Sequence, residues 1–136
     1  MMPRLMLDTN ICIYAIKGQP ADVRRRLEST RLDDVAISSI VAGELRTGVA
    51  KSREQRRNEQ ALRDFLAFVT VLDWPAEAAE VYGRIRARLE SSGHPIGAMD
   101  MLIAAHAVHE GATLVTRNRG EFERVSGLKV ESWGGR

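Results

Sequence analysis

One cysteine, Cys12, in a chain of 136 residues leaves no partner for an internal disulfide and no cysteine cluster for a metal. A reducing compartment is the simplest setting for such a chain. No stretch approaches the roughly 20 apolar residues needed to cross a bilayer, and Met1–Asp8 lacks a basic region followed by a long apolar run. The cytoplasm is therefore the expected location, with no membrane partner. A glycine-rich phosphate loop ending in Lys-Ser or Lys-Thr is missing, which removes support for an ATPase. His94, His106 and His109 have no cysteine partners and no zinc spacing, and nothing arranges them into a nucleophilic triad. His106 is expected to be packed or surface-exposed on its helix, and Cys12 to act as a small hydrophobe between Ile11 and Ile13. Internal repeats and low-complexity linkers are also lacking.

What is present is globular: 44% hydrophobic and 28% charged residues, in a length that suits one domain over residues 1–136 with its own core. The formal net charge is only +2. Distribution matters more, because Arg24–Arg26, Lys51–Arg57, Arg84–Arg88 and the pair Arg117 and Arg119 concentrate guanidinium groups, whose forked donors match phosphate. Each cluster can equally be a solvated helix face. Arg117 and Arg119 stand apart because they flank a candidate site residue.

The run Arg4–Leu7 predicts a buried strand stopped by Asp8, Thr9 and Asn10. A short helix over Ile11–Ile16 follows, interrupted by Gly18 and Pro20, and Pro20 sits well at the start of a helix over Ala21–Glu28. Val35–Ile37 predicts a second strand. Ser38 or Ser39 can cap a helix from Ile40 towards Ala50, with no Glu or Gln three residues on to complete a capping box. Further on come a helix over Arg53–Phe68, a short strand over Val69–Leu72 and an amphipathic helix over Ala76–Ser91. Gly93, Pro95 and Gly97 constrain the link to a helix over Met99–Glu110, closed by Gly111. Thr113–Val115 predicts another buried strand, Glu121 and Phe122 a helical turn, and Val130–Trp133 a last edge strand.

Apolar strands alternating with amphipathic helices predict an α/β fold with a mostly parallel central sheet flanked by helices. Crossovers in such sheets gather the carboxyl ends of the strands on one edge. Asp8 lies at one such end and Asn118 just past another, while Glu44 and Asp100 can enter from the first turns of neighbouring helices. Converging carboxylates of this kind suit Mg2+ or Mn2+, which take hard oxygen ligands. The candidate ligands are Asp8, Glu44 and Asp100, with Glu121 or Asn118 as a fourth contributor. Taken singly, Asp8 and Asp100 can be helix caps and Glu44 a solvent-facing residue; one shared site explains all of them. Asn10 can position Asp8 or a water, Thr9 and Thr116 can hydrogen-bond a carboxylate or phosphate, and Ser39 can cap a helix or touch substrate.

Four segments together resemble a PIN-domain ribonuclease, in particular the VapC-type toxins. They are Met6-Leu7-Asp8-Thr9-Asn10, Ser38 through Leu45, Pro95 through Asp100, and Val115 through Phe122, in the family's order and covering nearly the whole chain. The resemblance implies a PIN-like fold and metal-supporting roles for Asp8, Glu44 and Asp100. At Asn118 the chain departs from the Asp that many relatives carry, and Glu121 offers a nearby carboxylate. The resemblance also implies a toxin of a type II toxin-antitoxin system, a VapB-type protein antitoxin and a homodimer. The segments around Asn10-Ile11-Cys12 and Pro95-Ile96-Gly97 look like the subgroup that cuts initiator transfer RNA in its anticodon stem-loop. Other transfer RNAs, ribosomal RNA and messenger RNA stay open.

The expected reaction is hydrolysis of a phosphodiester with water as nucleophile, leaving 5′ phosphate and 3′ hydroxyl ends. Arg46, Arg117 or Arg119 can hold the RNA backbone. Two other readings use the same residues: a metal-dependent DNA nuclease, and a noncatalytic nucleic-acid-binding protein whose acidic cluster binds only metal or a basic partner.

Overall fold

Three of the five strands among the described residues are apolar runs of three or four residues buried under helices, while the two edge strands are largely exposed. The computed structural model describes residues 3–134. Strands β1 (Leu5–Leu7), β2 (Val35–Ser38), β3 (Thr70–Leu72), β4 (Thr113–Thr116) and β5 (Lys129–Ser132) form one sheet in the order β3-β2-β1-β4-β5, with every pairing parallel. The helices are α1 (Thr9–Lys17), α2 (Ala21–Glu28), α3 (Ser39–Ala50), α4 (Gln55–Phe68), α5 (Ala78–Ser91), α6 (Ala98–Glu110) and the short α7 (Arg119–Phe122), with a 3-10 turn at Leu32–Asp34. This is the expected α/β arrangement.

β1 and β2 are buried along their whole length, as parallel strands between helical layers must be. Leu7, Ile37 and Leu114 meet Ile11, Val41 and Ile103 in one continuous core. The helix α6 presents Ile103, Ala104, Ala105 and Ala107 to that core. Its run of alanines has little side chain to bury, so the helix lies close to the sheet. Both α1 and α6 end on a left-handed glycine, Gly18 at φ 75° and Gly111 at φ 69°, where a side chain would be strained.

Element boundaries moved where a cap outcompeted periodicity. Helix α1 starts at Thr9 rather than Ile11 because Asp8 caps it, and α3 starts at Ser39 because the Ser38 hydroxyl accepts the Ile40 N–H at 3.1 Å. Glu44 consequently stands in the second turn of α3, not the first. The Ser39 hydroxyl accepts the Trp74 N–H instead, at 2.9 Å, and ties the helix to the chain beyond β3. The turn at Leu32–Asp34 had no apolar period to announce it. β5 ends at Ser132, yet the Trp133 N–H still donates to the Thr116 carbonyl at 3.1 Å, which carries the β4 pairing one residue further.

Strand β1 is the hinge of the topology. The chain moves from it to β2 on one side and returns to β4 on the other, so the direction of winding reverses between β1 and β4. A crevice opens outside the carboxyl ends of strands at such a point. Asp8 directly follows β1, and Arg117 and Asn118 follow β4.

Candidate acidic active site

Asp8 is buried at 5% exposure, an unusual place for a carboxylate, and hydrogen bonds justify it. Its Oδ1 accepts the Ile11 N–H at 3.0 Å as the cap of α1, and its Oδ2 accepts the Thr116 hydroxyl at 2.5 Å. A carboxylate has about four acceptor positions, so each oxygen keeps a free lone pair. The Thr116 oxygen in turn accepts the Asn118 N–H at 2.8 Å, fixing the turn after β4. Burial raises the pKa of Asp8, opposed by the Thr116 and Ile11 bonds, and the Glu44 charge raises it further.

Glu44 reaches the same edge from α3, where the Thr9 hydroxyl donates to its Oε1. Asp100 lies in the first turn of α6, whose amino end is capped by Gly97, so Asp100 is not the cap. The positive end of the helix dipole favours a carboxylate there. Even so, burial and then the charges of Glu121, Glu44 and Asp8 push its pKa up to about 6. Glu121 stands on α7, held by the Asn118 side-chain amide. Four carboxylates from four separated segments thus act on one another electrostatically.

None of these four carboxylates forms an ion pair among the described residues. Hydroxyl and amide donors hold Asp8, Glu44 and Glu121 instead, and the charge of the four stays uncompensated. No three acidic, histidine or cysteine side chains among the described residues are drawn together tightly enough to grip an ion as they stand. The donor set is oxygen only, uncompensated and partly exposed, which fits a hard divalent cation that keeps some of its own water.

The remaining sequence candidates divide by location. Thr9, Thr116 and Asn118 touch site carboxylates. Asn10 is exposed on α1. Arg46 donates to both oxygens of Glu59, at 3.2 and 3.3 Å, and Arg119 to Glu123 at 2.8 Å, so each already has a carboxylate partner. Arg117 bonds the Tyr14 hydroxyl, with its guanidinium 5.6 Å from the centre of that ring. Ser39 serves Trp74 as described.

Of the two places the sequence allowed for His106, packed or on the surface, the structure has it packed behind the site. His106 is fully buried on α6, and its Nδ1 lies 2.8 Å from the Ser38 hydroxyl, joining the helix of Asp100 to the cap of the helix of Glu44. Burial holds its pKa below the ordinary histidine value, so the ring is neutral near pH 7. Its Nε2 has no hydrogen-bond partner among the described residues and is 3.6 Å from Glu110 Oε2, too long for a good bond. A polar residue inside the run Ile103–Ala107 was the available signal.

The PIN domain family model matches residues 5–128. The tRNA(fMet)-specific endonuclease VapC of Shigella flexneri is 45% identical over 132 residues, covering 97% of this chain and 99% of that protein. Ribonuclease VapC2 of Rickettsia felis is 45% identical over 129 residues, covering 94% and 96%. Among solved structures, the DNA-bound VapBC of Salmonella typhimurium has a TM-score of 0.91 at 41% identity, covering 97% of this chain and 99% of that one. VapBC2 of Rickettsia felis bound to a promoter DNA fragment has a TM-score of 0.87 at 42% identity, covering 95% and 98%.

Proposed function

This chain belongs to the PIN-domain family, and from that premise we propose that it is a VapC-type toxin, an endoribonuclease that hydrolyses RNA with the help of a divalent cation. The observation that carries the reading is the mutual influence of Asp8, Glu44, Asp100 and Glu121 at the carboxyl edge of the sheet, with no basic side chain among the described residues paired to any of them.

Mg2+ or Mn2+ is the cation that this oxygen set suits, and Asp8, Glu44 and Asp100 would hold it with Glu121 or Asn118 contributing. When bound, it would supply positive charge against the phosphate oxygens as the bond breaks and make the attacking water more acidic. The protein's own part is positioning. Thr116 and the Ile11 N–H fix the Asp8 carboxylate in one rotamer, Thr9 holds Glu44, and Asn118 holds Glu121. Asp100, in the first turn of α6 beside Glu121, would share in holding the cation and orienting the attacking water. Attack by water rather than by the neighbouring ribose hydroxyl leaves a 5′ phosphate and a 3′ hydroxyl.

The similarity to a tRNA(fMet)-specific endonuclease over nearly the whole chain supports transfer RNA, and initiator transfer RNA first, as the substrate. The likeness to VapBC complexes supports a VapB-type antitoxin as partner and a homodimeric toxin. No helix among the described residues is long and apolar enough to cross a membrane, in keeping with a cytoplasmic place of action.

Incubating the purified, antitoxin-free protein with total RNA, with Mg2+ or Mn2+ and with chelator, and mapping both new termini tests the reaction. Cutting that needs the cation, leaves the stated ends and is lost in folded Asp8→Asn is expected. A cyclic phosphate product, or full activity in chelator, would overturn the mechanism.

A further inference from the structure

A centre built from uncompensated carboxylates repels the phosphates it must approach, so attraction has to come from elsewhere on the surface. Two of the arginines picked out from sequence, Arg46 and Arg119, are engaged by Glu59 and Glu123. Arg84 and Arg88, from one of the arginine clusters of the sequence, line a groove of about 400 Å3 between α5, α6 and the segment after α7 together with Arg124, over a floor that includes Ile85, Leu89 and Val125. No acidic residue lines it.

We infer that this groove is a docking track for the phosphate backbone of the RNA, outside the cleavage centre; the inference rests on the ribonuclease reading above. Arg88 and Arg124 form no ion pair among the described residues, and Arg84 has only the exposed Glu80 at 2.6 Å. Exposed pairs of that kind contribute little, at Arg46 and Arg119 as at Arg84, so what distinguishes the groove is Arg88 and Arg124, which have no acidic partner among the described residues. Arg84 and Arg88 stand one turn apart on α5, with about 6 Å between their Cβ positions, a spacing comparable to that of successive phosphates along a strand.

The track is joined to the centre. Arg124 follows Glu121 by three residues, and its Nη1 donates to the Pro95 carbonyl at 3.3 Å, in the segment that leads into Asp100. The apolar floor suits the stems of the arginines and the edges of sugars and bases. A second copy of this chain fits less well, because a two-fold contact would set these arginines against themselves.

The test is binding of bulk transfer RNA in chelator, where no cleavage occurs, measured against salt for the full chain, Arg88→Ala, Arg124→Ala, the double variant, and Arg63→Ala, an exposed arginine on α4, as a control. The double variant is expected to bind roughly tenfold more weakly at low salt, with the slope of log affinity against log salt reduced by about 0.7–0.9 for each arginine removed. Arg88→Lys should retain most of the affinity. Thermal melting should be unchanged, since all three side chains are exposed. Unchanged affinity and slope in the double variant, with wild type binding normally, would overturn the track while leaving the ribonuclease reading intact. Conversion of a dimer to a monomer by the double variant would also overturn it, marking the groove as a contact between copies. Failure of the wild type both to bind and to cut RNA would end both.

Discussion

Replacing Asp100 by Asn should make the metal-free protein more stable while abolishing its cleavage. In the folded chain the Asp100 carboxyl is pushed from 3.8 up to about 6, by burial first and then by the charges of Glu121, Glu44 and Asp8. A raised carboxylate makes the folded state bind its proton more tightly than the unfolded chain does. Stability therefore falls as pH rises from about 3.8 to about 6, and the full penalty persists above that. The shift corresponds to about 3 kcal/mol at most, and solvent screening of a partly exposed group reduces this to about 1–2 kcal/mol. Asn removes the charge at nearly the same shape. In chelator at about pH 8, at one protein concentration, the variant should melt roughly 3–6 °C higher than wild type. Near pH 4 most of the gain should vanish, because folded wild-type Asp100 is then protonated. Adding Mg2+ should raise the melting temperature of wild type by mass action and that of the variant much less. A variant no more stable than wild type near pH 8, or a gain that does not change with pH, would refute the electrostatic account of the site.

Thr116→Val removes the hydroxyl that lowers the Asp8 pKa and leaves the Asn118 N–H without its acceptor. The acidic limb of the cleavage profile should move to higher pH, and urea unfolding should show a loss of about 1–3 kcal/mol. His106→Ala empties a buried site and leaves the Ser38 hydroxyl without its ring partner, and denaturant titration should record a loss of about 2–4 kcal/mol. Gly111→Ala meets no atom within 4 Å, so its cost should be the left-handed φ alone, about 1 kcal/mol by the same titration.

The sheet and its helices were legible because alternation of short apolar runs with helical stripes needs no tertiary information. That Asp8, Glu44 and Asp100 come near one another was legible because each ends or follows such a run. Boundaries were less so, since a cap acts through one hydrogen bond that periodicity does not register: Asp8 begins α1 two residues early, and Ser38 begins α3 one residue early. The roles of the arginines could not be read at all. Arg46 and Glu59 are 13 positions apart on different helices, and only packing of α3 against α4 brings them together. The same holds for Ser38 and His106, separated by 68 positions.

These pairings point to a division of charge that sequence conceals. Hydroxyls and an amide hold the site carboxylates, through Thr116 to Asp8, Thr9 to Glu44 and Asn118 to Glu121. Arginines close in sequence to those carboxylates are turned to other glutamates, Arg46 to Glu59 and Arg119 to Glu123. Had either guanidinium turned to the site, folding would gain an attraction of about 1 kcal/mol and the edge would lose the uncompensated charge that attracts a divalent cation. Neutral donors orient a carboxylate without cancelling it. The destabilised pKa of Asp100 is the cost of that choice, and it is recovered only when positive charge arrives from solution.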